Sequence, residues 1–159
     1  MPRLWHDGRE RGDGVSRADE RLAAALVAEH AAIFGYGPVG ARLDTATVPL
    51  AQQAEAAHRS RRDAVVTRLT GRGAKAPVAE PAYALPAPVT DQASALRLAI
   101  MIEERTAAAW RAALLDTDGD DRRVAVDALV DCAVRATRLR RAAGATPTTV
   151  AFPGRLETG

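Results

Sequence analysis

Several residue types that mark particular functions are scarce in this 159-residue sequence. The single cysteine, Cys132, excludes an internal disulfide and any cysteine-based zinc cluster. Aromatic residues make up only 4%, so the interleaved aromatic and basic residues typical of single-stranded nucleic-acid binding are missing. There is also no glycine-rich phosphate loop and no nucleophile elbow. The net charge of +2 is too small to indicate a nucleic-acid partner.

Membrane and export signals are also scarce. Charged residues interrupt every apolar stretch before it reaches the ~20 residues that span a bilayer. Residues 1–17 are polar and glycine-rich and lack the apolar region of a signal peptide. With its lone cysteine, the sequence predicts a cytoplasmic protein without a membrane or nucleic-acid partner.

What the sequence does contain is alanine, leucine, valine and arginine. Hydrophobic residues account for 47% of the chain. Alanine, leucine and arginine favour helix because they lose little side-chain freedom on entering one. Apolar residues at alternating spacings of three and four predict four helices, at about residues 18–36, 48–69, 91–115 and 121–143. The apolar Val39 and Leu43 leave open an extension of the first helix by a turn or two beyond a kink.

The lengths of the connections predict how these helices are arranged. Four prolines, Pro77, Pro81, Pro86 and Pro88, make the second connection long and irregular. A long second loop between two short ones predicts an all-α, ferritin-like four-helix bundle with a crossover between helices 2 and 3. We expect a disordered tail over residues 1–17, the bundle over 18–144 and an extended tail over 145–159.

Three predicted helices carry an acidic residue in the middle of an apolar face. These are Glu29, Glu55 and Glu103, and His58 follows Glu55 by one helical turn. A buried, unpaired carboxylate costs several kcal/mol, so such residues need a cation, a proton or several hydrogen bonds. Carboxylates and an imidazole at one level form a site suited to Fe or Mn. The candidate metal ligands are therefore Glu29, Glu55, His58 and Glu103.

This pattern resembles that of the ferritin-like di-iron proteins. Their first and third helices each supply a Glu, and their second and fourth helices each supply a Glu-x-x-His pair. Residues Ala28–Gly40 and Thr149–Pro153 are more closely similar to an actinobacterial ferritin-like family of unknown function. The resemblance covers roughly Ala18 to Pro153, and it implies the fold without an established activity.

The fourth helix departs from this pattern, because it has no Glu-x-x-His. Its apolar face carries Cys132, flanked by Asp131 and Arg135. Glu29, Glu55 and His58 would suffice for one ion, but the second site is incomplete unless Asp131 or Cys132 supplies a substitute ligand. Arg62 and Arg135 are predicted to place guanidinium groups where metal would otherwise balance the acids. This describes a degenerate metal site.

Two functions follow, and the sequence leaves open whether the protein is an enzyme. The first is a non-catalytic structural or interaction protein, whose alanine-rich and leftover apolar faces predict a homodimer with a further protein partner unspecified. The alternative is an iron- or manganese-binding redox protein that uses the partial carboxylate and histidine site, with Tyr36 as a candidate electron donor. A small-ligand pocket between the helices is a weaker third option.

Overall fold

The computed structural model describes residues 15–156 as a bundle of four helices. They are α1 (Arg17–Gly40), α2 (Val48–Gly71), α3 (Gln92–Ala113) and α4 (Gly119–Ala142). No strand occurs among these described residues. The all-α, four-helix prediction is confirmed. Most of the tail predicted as disordered, residues 1–14, lies outside the described residues, as do residues 157–159.

The helices begin and end largely where local chemistry predicts. Ser16 caps α1 by accepting a hydrogen bond from the Asp19 amide at 3.1 Å. Asp91 and Ser94 form a reciprocal capping box at the start of α3. Gly144 follows α4 with a φ of 65°, the left-handed conformation that glycine supplies at helix ends.

The first helix takes the longer of the two ends that the sequence allows. It continues past Tyr36 to Gly40 and includes Pro38. Proline removes one backbone hydrogen bond inside a helix. Val39 is nevertheless fully buried in the core, and burying such a side chain contributes about 1.5–3 kcal/mol. This packing explains why the helix is not broken at the proline.

Two apolar clusters fill opposite ends of the bundle. One joins the start of α1 and α4 to the ends of α2 and α3, through Leu22, Leu26, Val65, Leu69, Trp110, Ala113, Ala125 and Ala128. The other joins the opposite ends, through Ala32, Tyr36, Val39, Ala51, Ala54, Ala95, Leu96, Leu98, Ala99, Ile102 and Leu139. Helix α1 is therefore antiparallel to α2 and α3, and α3 is antiparallel to α4. The connection from α2 to α3 consequently crosses the length of the bundle.

The crossover, residues 72–91, is held against the outside of α1. The rings of Phe34 and Tyr83 lie 5.3 Å apart between centroids. His30 donates from Nε2 to the Pro77 carbonyl oxygen at 3.0 Å. These contacts bury His30, so this histidine faces the crossover and not the bundle interior.

The tail after α4 folds back onto α3. Gly154 has a φ of 76°, and a β-carbon there would lie 2.7 Å from the carbonyl oxygen of Ala107. Only glycine allows both this conformation and this close approach. Residues 145–156 therefore lie along the bundle surface.

Helix α1 is long and apolar enough to cross a membrane by length and composition alone, with a mean hydropathy of 1.3 over its most apolar window. Half of that window is buried inside the bundle. Core helices of globular proteins pass the same test.

Candidate functional site: a buried polar layer

A layer of polar side chains separates the two apolar clusters at the middle of the bundle. Glu29 of α1, His58 of α2 and Glu103 of α3 converge there, and all three are completely buried. Each lies near the centre of its helix, as the sequence predicts. We call this set and its direct partners the polar layer.

His58 lies between the two carboxylates and contacts both. Its Nδ1 atom donates to Glu29 Oε2 at 2.6 Å, and its Nε2 atom donates to Glu103 Oε1 at 3.1 Å. An ionised carboxylate only accepts hydrogen bonds, so both ring nitrogens carry a proton. His58 is therefore a buried imidazolium that links three helices.

Two aromatic side chains complete the hydrogen bonds of the carboxylates. Trp110 donates from Nε1 to Glu29 Oε1 at 2.6 Å. Tyr36 donates from its hydroxyl to Glu103 Oε1 at 2.6 Å. Both rings are almost fully buried. They anchor the two acids while filling the core on either side of the layer.

Two arginines reach the layer from its edge. Arg135 donates from Nε to both carboxylate oxygens of Glu103 at 3.1 Å. Arg61 donates from Nη1 to Glu29 Oε1 at 3.3 Å. Both also contact Asp131 Oδ2, at 3.5 Å and 2.8 Å respectively. The more exposed carboxylate of Asp131 thus bridges the two guanidinium groups.

The charges of the polar layer balance once Asp131, which pairs with both arginines, is counted with it. Three carboxylates, Glu29, Glu103 and Asp131, face three cations, His58, Arg61 and Arg135. Such compensation is what allows charged groups to remain in a bundle core. Among the described residues, no buried side-chain nitrogen or oxygen lacks a hydrogen-bond partner.

This arrangement shifts the pKa values of His58, Glu103 and Tyr36. Burial alone would lower the pKa of His58, but its hydrogen bonds and attraction to Glu103 and Glu29 outweigh burial and raise it. Burial alone would raise the pKa of Glu103, but His58 and Arg135 hold it below the ordinary value. Burial and the adjacent Glu103 charge raise the pKa of Tyr36 well above its ordinary value. The layer therefore favours an ionised Glu103, an imidazolium at His58 and a neutral phenol at Tyr36.

Cys132 lies at the edge of the same layer and is fully buried, as predicted from its position on α4. Its Sγ atom is 3.5 Å from Arg135 Nη2 and 4.0 Å from Arg61 Nη1. Burial and the Glu103 charge raise the pKa of the thiol despite these arginines. The thiol therefore stays protonated and unreactive in the folded protein.

Two residues that the sequence places in this site lie outside it. Glu55 is partly exposed and pairs with Arg59, one turn along α2, at 2.5 Å. Arg62 pairs with its neighbour Asp63. The inward position beside the acids, which the sequence assigns to Arg62, is occupied by Arg61. On α2 the inward face contains Ala54 and Arg61, each one residue before the predicted position.

The donor atoms of the polar layer do not fit a metal ion as arranged. Both oxygens of Glu29, both of Glu103 and both nitrogens of His58 are engaged by protein groups. Of the four predicted ligands, the fold brings together three and leaves Glu55 outside. Within residues 15–156, no three His, Cys, Asp or Glu side chains are arranged as a metal-binding group.

The fold and this layer define a class of protein: an all-α bundle with a buried, charge-balanced polar centre. Residues 21–157 match the family described as Domain of unknown function (DUF4439), and the chain belongs to that family. A similar solved structure is that of a conserved hypothetical protein, rv2844, from Mycobacterium tuberculosis. It is 45% identical, the match covers 86% of this chain and 97% of that chain, and the TM-score is 0.77. No curated protein matches this chain.

Proposed function

We propose that this protein is a non-catalytic structural or interaction module of the ferritin-like superfamily, in which fixed cations of the protein replace metal ions. The observation that carries this proposal is the engagement of Glu29. One of its oxygens accepts from His58, and the other accepts from Trp110 and Arg61. Three of its roughly four acceptor positions are therefore taken by protein donors, and a metal ion would have to displace at least one of them to bind through both oxygens.

The charge of the polar layer supports the same conclusion. A divalent ion added to a neutral, buried layer would leave two uncompensated positive charges in a medium of low dielectric constant. Binding would require His58 to lose a proton or an arginine to withdraw. Both changes would break ion pairs that join α1, α2 and α3.

The test is the metal content of the purified full chain after anaerobic loading with ferrous or manganous ions and removal of excess ion. We expect substoichiometric metal and an unchanged unfolding temperature. Glu29→Gln serves as the variant within the layer, and Glu55→Gln as the matched variant outside it. Neither should alter metal content under this proposal.

About one ion per chain would contradict the proposal and favour the alternative redox protein. Loss of that ion in Glu55→Gln would support the ligand set predicted from the sequence, which includes Glu55. Loss in Glu29→Gln alone would place the ion within the polar layer after rearrangement. Cytoplasmic location and the absence of membrane and nucleic-acid partners remain predictions from the sequence.

A further inference from the structure

The outward face of α4 carries a row of exposed valines. Val126, Val130 and Val134 are 42%, 54% and 44% exposed. They are four residues apart, so they form a single stripe along the helix. The opposite face of α4 already packs into the bundle through Ala125, Cys132 and Ala136. The valine stripe is therefore additional to what the core of one chain requires.

The tail extends this apolar surface. Residues 149–153 run beside the outer face of α4 and form a groove with it. The groove is lined by Leu129, Val130, Ala133, Val134, Thr137, Arg138, Arg141, Thr149, Val150 and Pro153. Val150 is itself 46% exposed. A continuous apolar surface of this kind on one face favours association with another protein surface.

Charges beside the stripe indicate which surface fits. Asp127 and Arg138 are both exposed and lie on the same side of α4, because eleven residues are close to three helical turns. Neither forms an ion pair within the part of the chain that the structure describes. They carry opposite charges and lie towards opposite ends of the stripe.

We propose that a second copy of this chain packs on this face, with the two α4 helices antiparallel about a two-fold axis. This deepens the proposed interaction role, on which it rests, by naming the partner. Along α4, the point midway between Asp127 and Arg138 lies about half a residue from the point midway between Val130 and Val134. A two-fold axis near this point would relate both pairs. One two-fold axis therefore sets Asp127 of each copy beside Arg138 of the other while Val130 of each copy meets Val134 of the other.

The first test is the molar mass of the full chain, measured by light scattering and sedimentation over a range of concentrations. We expect a dimer, and Val130→Lys should raise its dissociation constant at least about tenfold by placing a charge at the centre of the apolar face. The matched control is Val27→Lys, on the exposed side of α1, where the valine is 47% exposed. This control should leave the dissociation constant unchanged.

The second test reverses the flanking charges. Asp127→Arg and Arg138→Asp should each weaken the dimer, because each sets like charges against one another across the axis. The double variant should recover most of the loss, because it restores opposite charges with exchanged positions. This recovery is specific to the antiparallel arrangement proposed.

A monomer at every concentration would overturn the proposal. So would a dimer unaffected by Val130→Lys, a dimer equally weakened by Val27→Lys, or a double charge variant no better than the singles. Metal content measured on the same samples distinguishes failure of the dimer proposal from failure of the proposed non-catalytic function. A metal-free monomer would refute only the named partner, whereas a stoichiometric metal ion would refute the non-catalytic module.

Discussion

Glu29 Oε2 and His58 Nδ1 lie 2.6 Å apart although the residues belong to different helices, and both side chains are completely buried. The same imidazolium contacts Glu103 through its other nitrogen. A charge shared in this way cannot be removed from one helix without leaving an unpaired charge on another. The pair therefore stabilises the bundle only as part of a complete network.

The first prediction concerns the loss of one charge from this network. Glu29→Gln keeps the shape of the side chain but removes one of the two carboxylates that pair with His58 and one of the two that pair with Arg61. We expect the free energy of unfolding to fall by about 3 kcal/mol, the range for breaking one side of a buried ion pair. Urea denaturation followed by circular dichroism measures it.

Glu55→Gln is the matched control for that measurement. Glu55 is partly exposed and pairs only with Arg59 at the surface. Its loss should change the free energy of unfolding by less than about 0.5 kcal/mol. Equal effects of the two variants would mean that Glu55, as predicted from the sequence, also faces the interior.

The second prediction is a stability maximum in mildly acidic solution. The pKa of His58 is raised in the folded state, so its contribution is complete below the ordinary value of 6.5 and is lost as pH rises through the folded value. The pKa of Glu103 is lowered, so its contribution is complete above the ordinary value of 4.5 and is lost as pH falls. The network contribution should therefore be greatest between about pH 4.5 and 6.5.

Free energies of unfolding from urea titrations between pH 4 and 9 test this maximum. His58 contacts Glu29 and Glu103 directly. The groups that act on it through these two carboxylates are Tyr36, Arg61 and Arg135. His58→Gln should abolish the fall above pH 6.5. His30→Gln, which alters the histidine beneath the crossover, should retain it. An unchanged alkaline fall in His58→Gln would assign that fall to another group.

The sequence predicts the helices well because their signals are local. The caps Ser16 and Asp91 and the terminal Gly144 act through hydrogen bonds and backbone conformations within a few residues. The extension of α1 to Gly40 depends instead on the burial of Val39 against other helices. That contact is not visible in local sequence, so the sequence leaves open whether the helix ends near Tyr36 or continues by a turn or two.

The polar layer is predicted in part. Glu29, His58 and Glu103 are interruptions of apolar faces, and such interruptions can be read from spacing. Which residues of α2 face the interior cannot be read so exactly from spacing. Spacings of three and four tolerate a shift of one residue, or about 100° around the helix. The sequence assigns Glu55 and Arg62 to the inward face, whereas the structure has Ala54 and Arg61 there. Each assignment differs by one residue.

The hydrogen-bond roles of Trp110 and Tyr36 were missed for a different reason. Both fit the apolar stripes of their helices, so spacing predicts packing, and packing is also what the structure shows. Their polar atoms gain a role only when two helices bring Glu29 and Glu103 to them. The signal available in the sequence was that a buried indole or phenol needs an acceptor.

The third prediction tests the phase of α2 directly with adjacent arginines. Arg61→Met removes a donor from Glu29 and leaves Asp131 with Arg135 alone, so we expect the free energy of unfolding to fall by about 1–3 kcal/mol. Arg62→Met removes only a contact with the neighbouring Asp63. It should change stability by less than about 0.5 kcal/mol. The same urea titrations compare the two, and a larger effect of Arg62→Met would reverse the assignment.

The last prediction concerns the reactivity of Cys132. The thiol is fully buried, and burial raises its pKa, so a thiol reagent meets neither an accessible sulfur nor a thiolate. At pH 8 we expect labelling of the folded chain at least about a hundredfold slower than that of the urea-unfolded chain, because reaction must await local opening. Absorbance of the released aromatic thiolate follows both rates.

Glu29→Gln, which weakens the neighbouring layer, should accelerate labelling, whereas Glu55→Gln should not. Rapid labelling of the wild-type fold would mean that the edge of the polar layer opens readily to solvent.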